Sequence, residues 1–384
     1  MKPIASAVIA MRAYSVTSSR LPLIKQLRDK DCNVFVAAAS DVSVEKIEEL
    51  GAHFSKVHFA QGGFKPIQDL YAVWEVMRFL QKNQISHLHA IGMKPVVFTG
   101  LLSALGLARV RGSIATVTGL GTHRERLQNT LIRPLIRFSM GSFSRVIFQN
   151  SDDATLFERH RFVTQSQSRV IVGSGVDIKK FSSRGEKAES HLMARVVLIS
   201  RLLKAKGIET FARIAARVRQ VNPNVAFALY GDHDASHPDS VALDWLRTST
   251  TFTYFGRTDD VPAVLASCDL FLFPSSYGEG VPRVVMEAAA VGVPAVAFDV
   301  PGVREAVQDG ETGFLIPAGH ESLMAEKVID LLNNPQKRGA MGAQARRMAV
   351  QRFDADRISK QYLEEYRTVG LLGERGNQMD TASM

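Results

Sequence analysis

Short apolar runs alternate with longer amphipathic stretches along the whole chain, and this rhythm starts twice. Runs that read as strands are 5–11, 33–39, 56–59, 87–91, 114–118, 145–149 and 169–172, then 196–200, 225–230, 251–255, 270–273, 295–298 and 313–316. Between them apolar residues recur every three or four positions. The clearest case is Ile67, Leu70, Tyr71, Trp74, Met77 and Leu80, which follow Pro66 at a predicted helix start. Apolar strands in alternation with helices imply parallel sheets covered on both faces. The fold class expected is α/β, with two doubly wound, Rossmann-like domains of similar size. The polar stretch Asp177 to Ser190 is the linker candidate, and 384 residues suit two domains. Ligands of such sheets bind outside the carboxyl ends of the strands, so a cleft between two facing domains is the expected site.

Several classes fall away. Cys32 and Cys268 are the only cysteines, too few for a disulfide framework or a four-cysteine zinc site. The first apolar run is eight residues long and closed by Arg12, so it reads as a buried strand rather than a signal peptide. No run approaches the roughly 18–20 apolar residues that span a bilayer. The expectation is a cytoplasmic protein, peripheral on a membrane face. The formal net charge is +9, unevenly spread. Residues 1–185 hold 25 basic and 13 acidic residues, a charge of +12, and the remainder holds 22 and 25, a charge of −3. An anionic partner follows: nucleic acid, anionic lipid or a phosphorylated small molecule. Nucleic acid is disfavoured, because the aromatics lie inside apolar periodic runs and no recognition motif is present. A dehydrogenase is disfavoured too, because no G-x-G-x-x-G follows the first strand.

Candidate chemistry concentrates in FPSSYGEGVPRVVMEAAAVGVP, from Phe273 to Pro294. A strand ends there, a loop carries Gly278, Glu279 and Gly280, and Pro282 suits a first helical position. The helix then stops at Gly292. Amides around Val281 to Val284 offer a phosphate site. Glu279 and Glu287 can accept hydrogen bonds from sugar hydroxyls. A plainer reading makes Glu279 a helix-dipole carboxylate and Glu287 a solvated one, but Glu287 precedes AAAVGV on a helix that reads as buried. A second cluster, Arg201 to Gly207, sets Arg201 and Lys206 at a strand's carboxyl end, where a fork and a point charge suit a diphosphate. The third, Gly231-Asp232-His233-Asp234, has the spacing of a divalent-metal pair but reads as a polar loop; no metal is expected, since Arg201, Lys206 and the helix amides already neutralise a diphosphate.

On these segments the chain resembles the retaining glycosyltransferases of family 4, or group 1, which have the GT-B fold. Glu279 and Glu287 match that family's pair of glutamates, and EGVPRVVMEAAAVGVPAVAFDVPGVREAVQDGETGFLIP is similar to its C-terminal signature. SRLLKAKG matches its diphosphate-binding loop; VIFQNSDDATLF and VGSGVDIKKF resemble the segments leading to its domain crossover. Tyr277-Gly-Glu-Gly-Val-Pro-Arg283 is closer to a branch that builds capsule and O-antigen. The resemblance implies an acceptor domain over residues 1–176, a nucleotide-sugar domain over 177–353, a helix over 354–370 that crosses back onto the first, and a tail over 371–384.

The resemblance also implies roles. A UDP-linked sugar donor acts as co-substrate, with no cofactor. Arg201 and Lys206 hold its diphosphate and Glu287 the ribose hydroxyls. Glu279, with the amides near Gly280 and Val281, holds the transferred sugar, Pro282 belongs to the same donor-binding loop, and Phe255 to Arg257 flank the base. The activity implied is transfer of a hexose or N-acetylhexosamine, the latter the first expectation, to a sugar on a polyprenyl diphosphate. A sugar-nucleotide epimerase on the same fold is the alternative. One position departs from the pattern. Many relatives carry a histidine in the loop after the fifth strand, where this chain has Thr118; His123 and His89 are the candidate substitutes. Last, residues 123–145 interleave Arg124, Arg126, Arg133, Arg137 and Arg145 with leucine, isoleucine and phenylalanine. A helix of that kind fits an anionic membrane surface, or packs on the core with a solvated basic face. Pro134 is a candidate kink.

Overall fold

A computed structural model describes residues 4–60, 65–121, 132–182, 193–235, 237 and 239–372. The described residues fall into two compact units, divided at Ser174/Gly175 and again at Asp354/Ala355. Of the polar stretch 177–190, residues 183–190 lie outside the described residues.

The first unit is built on a seven-stranded, all-parallel sheet. Its strands are β1 (Ala5–Arg12), β2 (Asn33–Ala39), β3 (His53–Lys56), β4 (His87–Ile91), β5 (Gly112–Val117), β6 (Arg145–Phe148) and β7 (Ser168–Val170), in the order β3-β2-β1-β4-β5-β6-β7. The second has six parallel strands: β8 (Ala194–Ile199), β9 (Val225–Tyr230), β10 (Thr253–Tyr254), β11 (Leu270–Phe273), β12 (Ala295–Phe298) and β13 (Gly313–Ile316), ordered β10-β9-β8-β11-β12-β13. Each sheet is wound outward in one direction and then in the other. The reversals fall between β1 and β4 and between β8 and β11, where loops diverge at the carboxyl ends and leave room for a ligand.

Two readings of the apolar pattern are corrected. The run 56–59 is not the paired segment: β3 ends at Lys56, and Val57 and Phe59 are buried just beyond it. The Val57 amide closes onto the Ala38 carbonyl at 2.9 Å, and Phe59 stacks on Phe98. The helix Pro66–Lys82 forms, but it buries Asp69, Ala72, Val76, Phe79 and Leu80, and leaves Ile67, Leu70, Tyr71 and Trp74 exposed. Asp69 tolerates burial because it accepts from the Lys65 amide and pairs with Lys94 at 2.9 Å.

The last helix, Ala355–Thr368, packs into the first unit. Its Tyr362 and Tyr366 join the core cluster of β1 and β2, and Glu365 pairs with Arg145 and Arg169 on β6 and β7, at 3.2 Å each. Arg20 is buried, stacked 4.4 Å over the Tyr362 ring, and donates to the Tyr362 hydroxyl at 2.9 Å. His89 lies on β4 beside them, bonded at 2.7 Å to both the Tyr366 hydroxyl and the Thr116 hydroxyl. Burial first, and the Arg20 charge second, hold its imidazole well below the usual histidine range. A histidine kept neutral in the fold stabilises it above the ordinary value near pH 6.5, and that contribution is lost as pH falls. Urea stability should therefore decline between pH 7 and pH 5 with a slope of up to about 1.4 kcal/mol per pH unit from this residue. His89→Gln should flatten that slope in denaturation series at several pH values. An unchanged slope would show that His89 is not the titrating group.

Candidate active site

β8 and β11 pair side by side at the strand-order reversal, so the loops that leave them meet at one corner of the second unit. After β8 the chain passes Arg201, makes a single 3-10 turn over Lys204–Lys206, and enters the helix Ile208–Val221 at Gly207. Gly207 has φ 75, and a side chain there would overlap the Pro274 carbonyl of the loop after β11. Only glycine allows this approach. The two loops are also tied by the Ser276 amide, which donates to the Ala205 carbonyl at 3.2 Å.

That contact buries Lys206. Its residue is 4% exposed, its ammonium pairs with the Glu279 carboxylate, and it sits 4.2 Å from the centroid of the Tyr277 ring. Arg201 is exposed and lies 5.7 Å from the same ring. Burial pulls the lysine's pKa down, the charge and hydrogen bond of Glu279 push it back up, and Arg201 adds to the lowering. The corner thus holds two cations, one aromatic face between them and one carboxylate. Gly302, at φ 83, fixes the Glu279 side of it: a side chain there would overlap the carbonyls of Gly280 and Glu279.

The next helix spans Arg283–Val291, with Pro282 as its cap. Pro282 thus stands one position earlier than the sequence suggests, because its ψ of 116° is extended rather than helical. Gly280, Val281 and Pro282 are buried. The amides of Arg283 and Val284 open the helix and have no partner inside it, so the positive end of its dipole faces outward from the loop. Glu287 is buried and bound by Arg283 one turn earlier, at 2.7 Å. Burial pushes its carboxyl up, against the opposing effects of Arg283 and Lys180. One nitrogen of Arg283, Nη1, is buried without a hydrogen-bond partner among the described residues. Sequence reading missed Tyr277 and Arg283 as members of this corner, although the i, i+4 spacing of Arg283 and Glu287 is the signal of such a pair.

Other expected residues lie further out. Arg257 follows β10, is exposed and pairs with Asp259 at 3.3 Å. Its neighbour Phe255 is exposed and stacks on Tyr230 at 4.9 Å and 11°. Asp232 and Asp234 occupy a loop after β9, and among the described residues no three His, Cys, Asp or Glu side chains gather as a metal site requires. In the first unit Thr118 is half-buried past the end of β5, next to Gly92 past the end of β4. His89 cannot stand in for the absent loop histidine, since both its ring nitrogens are engaged in the core. His123 lies outside the described residues, as do 122–131 of the basic segment. The helix Arg133–Gly141 continues it, with Pro134 in its first turn rather than at a kink.

The fold belongs to a known class. The Anabaena protein HepE (Alr3699), solved with UDP and glucose, superposes with a TM-score of 0.76 at 22% identity, covering 94% of this chain and 99% of that one. The fold is therefore GT-B, two parallel-sheet α/β domains. Residues 178–348 match the Glycosyl transferases group 1 family and residues 8–150 the Glycosyl transferase 4-like family. The chain belongs to the group 1 glycosyltransferases. It is 27% identical, over 92% of its length and 95% of the relative's, to the N,N'-diacetylbacillosaminyl-diphospho-undecaprenol alpha-1,3-N-acetylgalactosaminyltransferase of Campylobacter jejuni. It is 34% identical to the N-acetyl-alpha-D-glucosaminyl L-malate synthase of Bacillus anthracis over 58% of this chain and 61% of that one.

Glu279→Gln keeps an acceptor beside Lys206 but removes the charge that compensates it. Urea denaturation should show a loss of about 1–3 kcal/mol in the second unit. A stability equal to that of the parent would mean that the lysine does not depend on this carboxylate.

Proposed function

We propose that this glycosyltransferase moves an N-acetylhexosamine or a hexose from a UDP-sugar to a sugar carried on a polyprenyl diphosphate. The transfer proceeds with retention of anomeric configuration and without a metal ion. It serves surface-glycan synthesis at the cytoplasmic face of a membrane, with the acceptor on the first domain and the basic segment 123–145 against anionic lipid. The observation that carries this reading is the corner where Arg201 and buried Lys206 flank Tyr277 beside the start of the helix Arg283–Val291. The near full-length similarity to a transferase whose name specifies a lipid-diphosphate acceptor supports the acceptor class.

The chemistry follows from charge. The bond between the sugar's anomeric carbon and the β-phosphate oxygen breaks, so negative charge grows on UDP and positive charge on the carbon. Arg201, Lys206 and the amides at the helix start stabilise the leaving diphosphate, the role that a metal plays elsewhere. The acceptor hydroxyl oxygen bonds to the anomeric carbon, and its proton passes to the departing phosphate oxygen. No enzyme carboxylate is needed as nucleophile. Glu279 then orients the transferred sugar, while the diphosphate gives Lys206 a second anion. Glu287, held by Arg283, accepts from the ribose hydroxyls. Phe255, exposed on Tyr230, offers a face to the base.

The test is UDP release from UDP-N-acetylhexosamines and UDP-hexoses with a short-chain lipid diphosphate sugar. Arg201→Ala and Lys206→Ala should each lower turnover roughly 10²- to 10³-fold, Glu279→Ala should nearly abolish it, and EDTA should leave it unchanged. NMR of the product should show the donor's anomeric configuration. Interconversion of free nucleotide sugars without transfer would instead make the protein an epimerase.

A further inference from the structure

The helix Pro66–Lys82 exposes one side that a folded core would normally cover. Ile67 is 86% and Leu70 72% exposed, and Tyr71 and Trp74 continue the stripe one and two turns on, their rings stacked at 5.6 Å. These residues lie at i, i+3, i+4 and i+7, a continuous apolar band. Exposed bands of this size mark interaction surfaces. Exposed apolar side chains recur two helices away. The helix Pro66–Lys82 packs beside the helix Met93–Ala104, which packs beside Arg133–Gly141. That third helix exposes Leu135 and Phe138, with Ile132 exposed at its start.

The charges around the band choose its occupant. Both acidic residues of the helix are spent inward: Asp69 on Lys94, and Glu75 on His58 at 2.7 Å. What remains outward is cationic. Lys65, Arg78 and Lys82 are exposed, Arg78 lies 5.0 Å over the Trp74 ring, and Arg137 is exposed on the third helix. Tryptophan and tyrosine beside aliphatic side chains, with exposed lysine and arginine on the same helix and at its start, suit the boundary between acyl chains and anionic headgroups. A second copy of the chain fits poorly, because a two-fold contact through this face would bring like charges together.

We infer that the outer face of the helix Pro66–Lys82 is a membrane-docking surface, with Ile67, Leu70, Tyr71 and Trp74 entering the interface of an anionic bilayer and Arg78 and Lys82 reaching the headgroups. The helix Pro66–Lys82 adds to the basic segment 123–145 a surface that the sequence did not suggest, and the inference rests on the reading of a membrane-borne acceptor. That surface gives the first domain an aromatic anchor.

The chain has two tryptophans, so Trp245→Phe leaves Trp74 as the only emitter. Vesicles of phosphatidylglycerol and phosphatidylcholine should shift its emission to the blue, and brominated acyl chains should quench it; pure phosphatidylcholine should do so far less. Adding Ile67→Ser and Leu70→Ser should weaken vesicle partition at least tenfold while leaving UDP release to a water-soluble acceptor unchanged. An emission that ignores anionic vesicles overturns the inference. So does a blue shift that grows with protein concentration in the absence of lipid, the signature of a second copy. If Trp74 inserts but no lipid-linked acceptor is used, the acceptor reading fails and the docking surface stands.

Discussion

A lysine ammonium that is 4% exposed needs an anion beside it, and the second domain is arranged to supply one. Lys206 reaches Glu279 only because β8 and β11 are neighbours, although two strands and three α-helices separate them along the chain. Two glycines with positive φ close the arrangement from either side: Gly207 brings its loop onto the Pro274 carbonyl, and Gly302 lets the next loop rest on Glu279 and Gly280. The fold therefore builds the charged corner through close backbone approach rather than through long side chains. Such a site is rigid before any ligand arrives, which is what electrostatic stabilisation of a leaving group requires.

The first domain uses buried polarity for a different end. Arg20, His89, Thr116, Tyr362 and Tyr366 form a connected group that ties the last helix to β4 and β5. His89, a candidate from the sequence for the absent loop histidine, is here part of a fastener. His89 has no nitrogen left for a substrate, and its neutral form is the one that the core accepts. Glu365, between the two tyrosines on the same helix, works similarly, spanning Arg145 and Arg169 on adjacent strands. A chain segment from the far C-terminus thus completes the N-terminal domain.

Much of this was legible in the sequence, and the failures share a cause. Strand positions followed from apolar runs bounded by helical periods, since a strand buried on both faces has no other signature. Glu279, Glu287, Arg201 and Lys206 stood out because charged residues at strand ends or on a buried helix need a reason. Periodicity, however, reports that a stripe exists, not what covers it. In Pro66–Lys82 the conspicuous residues Ile67, Leu70, Tyr71 and Trp74 face outward, and the small Ala72 and Val76 pack on the sheet with Asp69. The salt link from Asp69 to Lys94 decides that orientation, and a partner 25 residues away is invisible to a local pattern. Tyr277 was missed for a related reason: an aromatic in a polar loop acquires meaning only when two cations from another loop are set against its face.

The charge asymmetry can now be resolved by residue. In the second domain the cations are largely matched at close range: Arg213 with Glu321, Arg304 with Asp299, Lys337 with Asp330 and Arg352 with Glu305. Pairs as exposed as these contribute about 0–1 kcal/mol each, and they cancel one another's field at a distance. In the first domain carboxylates such as Asp69, Glu75 and Glu365 are drawn inward onto partners, so the basic excess is presented outward. Long-range attraction and short-range recognition are thereby assigned to different domains. The first unit, residues 1–174 with 355–384, holds 26 basic and 17 acidic residues, and its net charge of +9 attracts anionic surfaces over roughly a Debye length, about 8 Å at physiological salt. The second unit, with 21 residues of each sign, would under the proposed function recognise the donor diphosphate by contact. An enzyme that meets one substrate on a membrane and the other in solution, as proposed for this one, would gain from that separation, because an attractive field over the donor site would hold its charged product as firmly as its substrate.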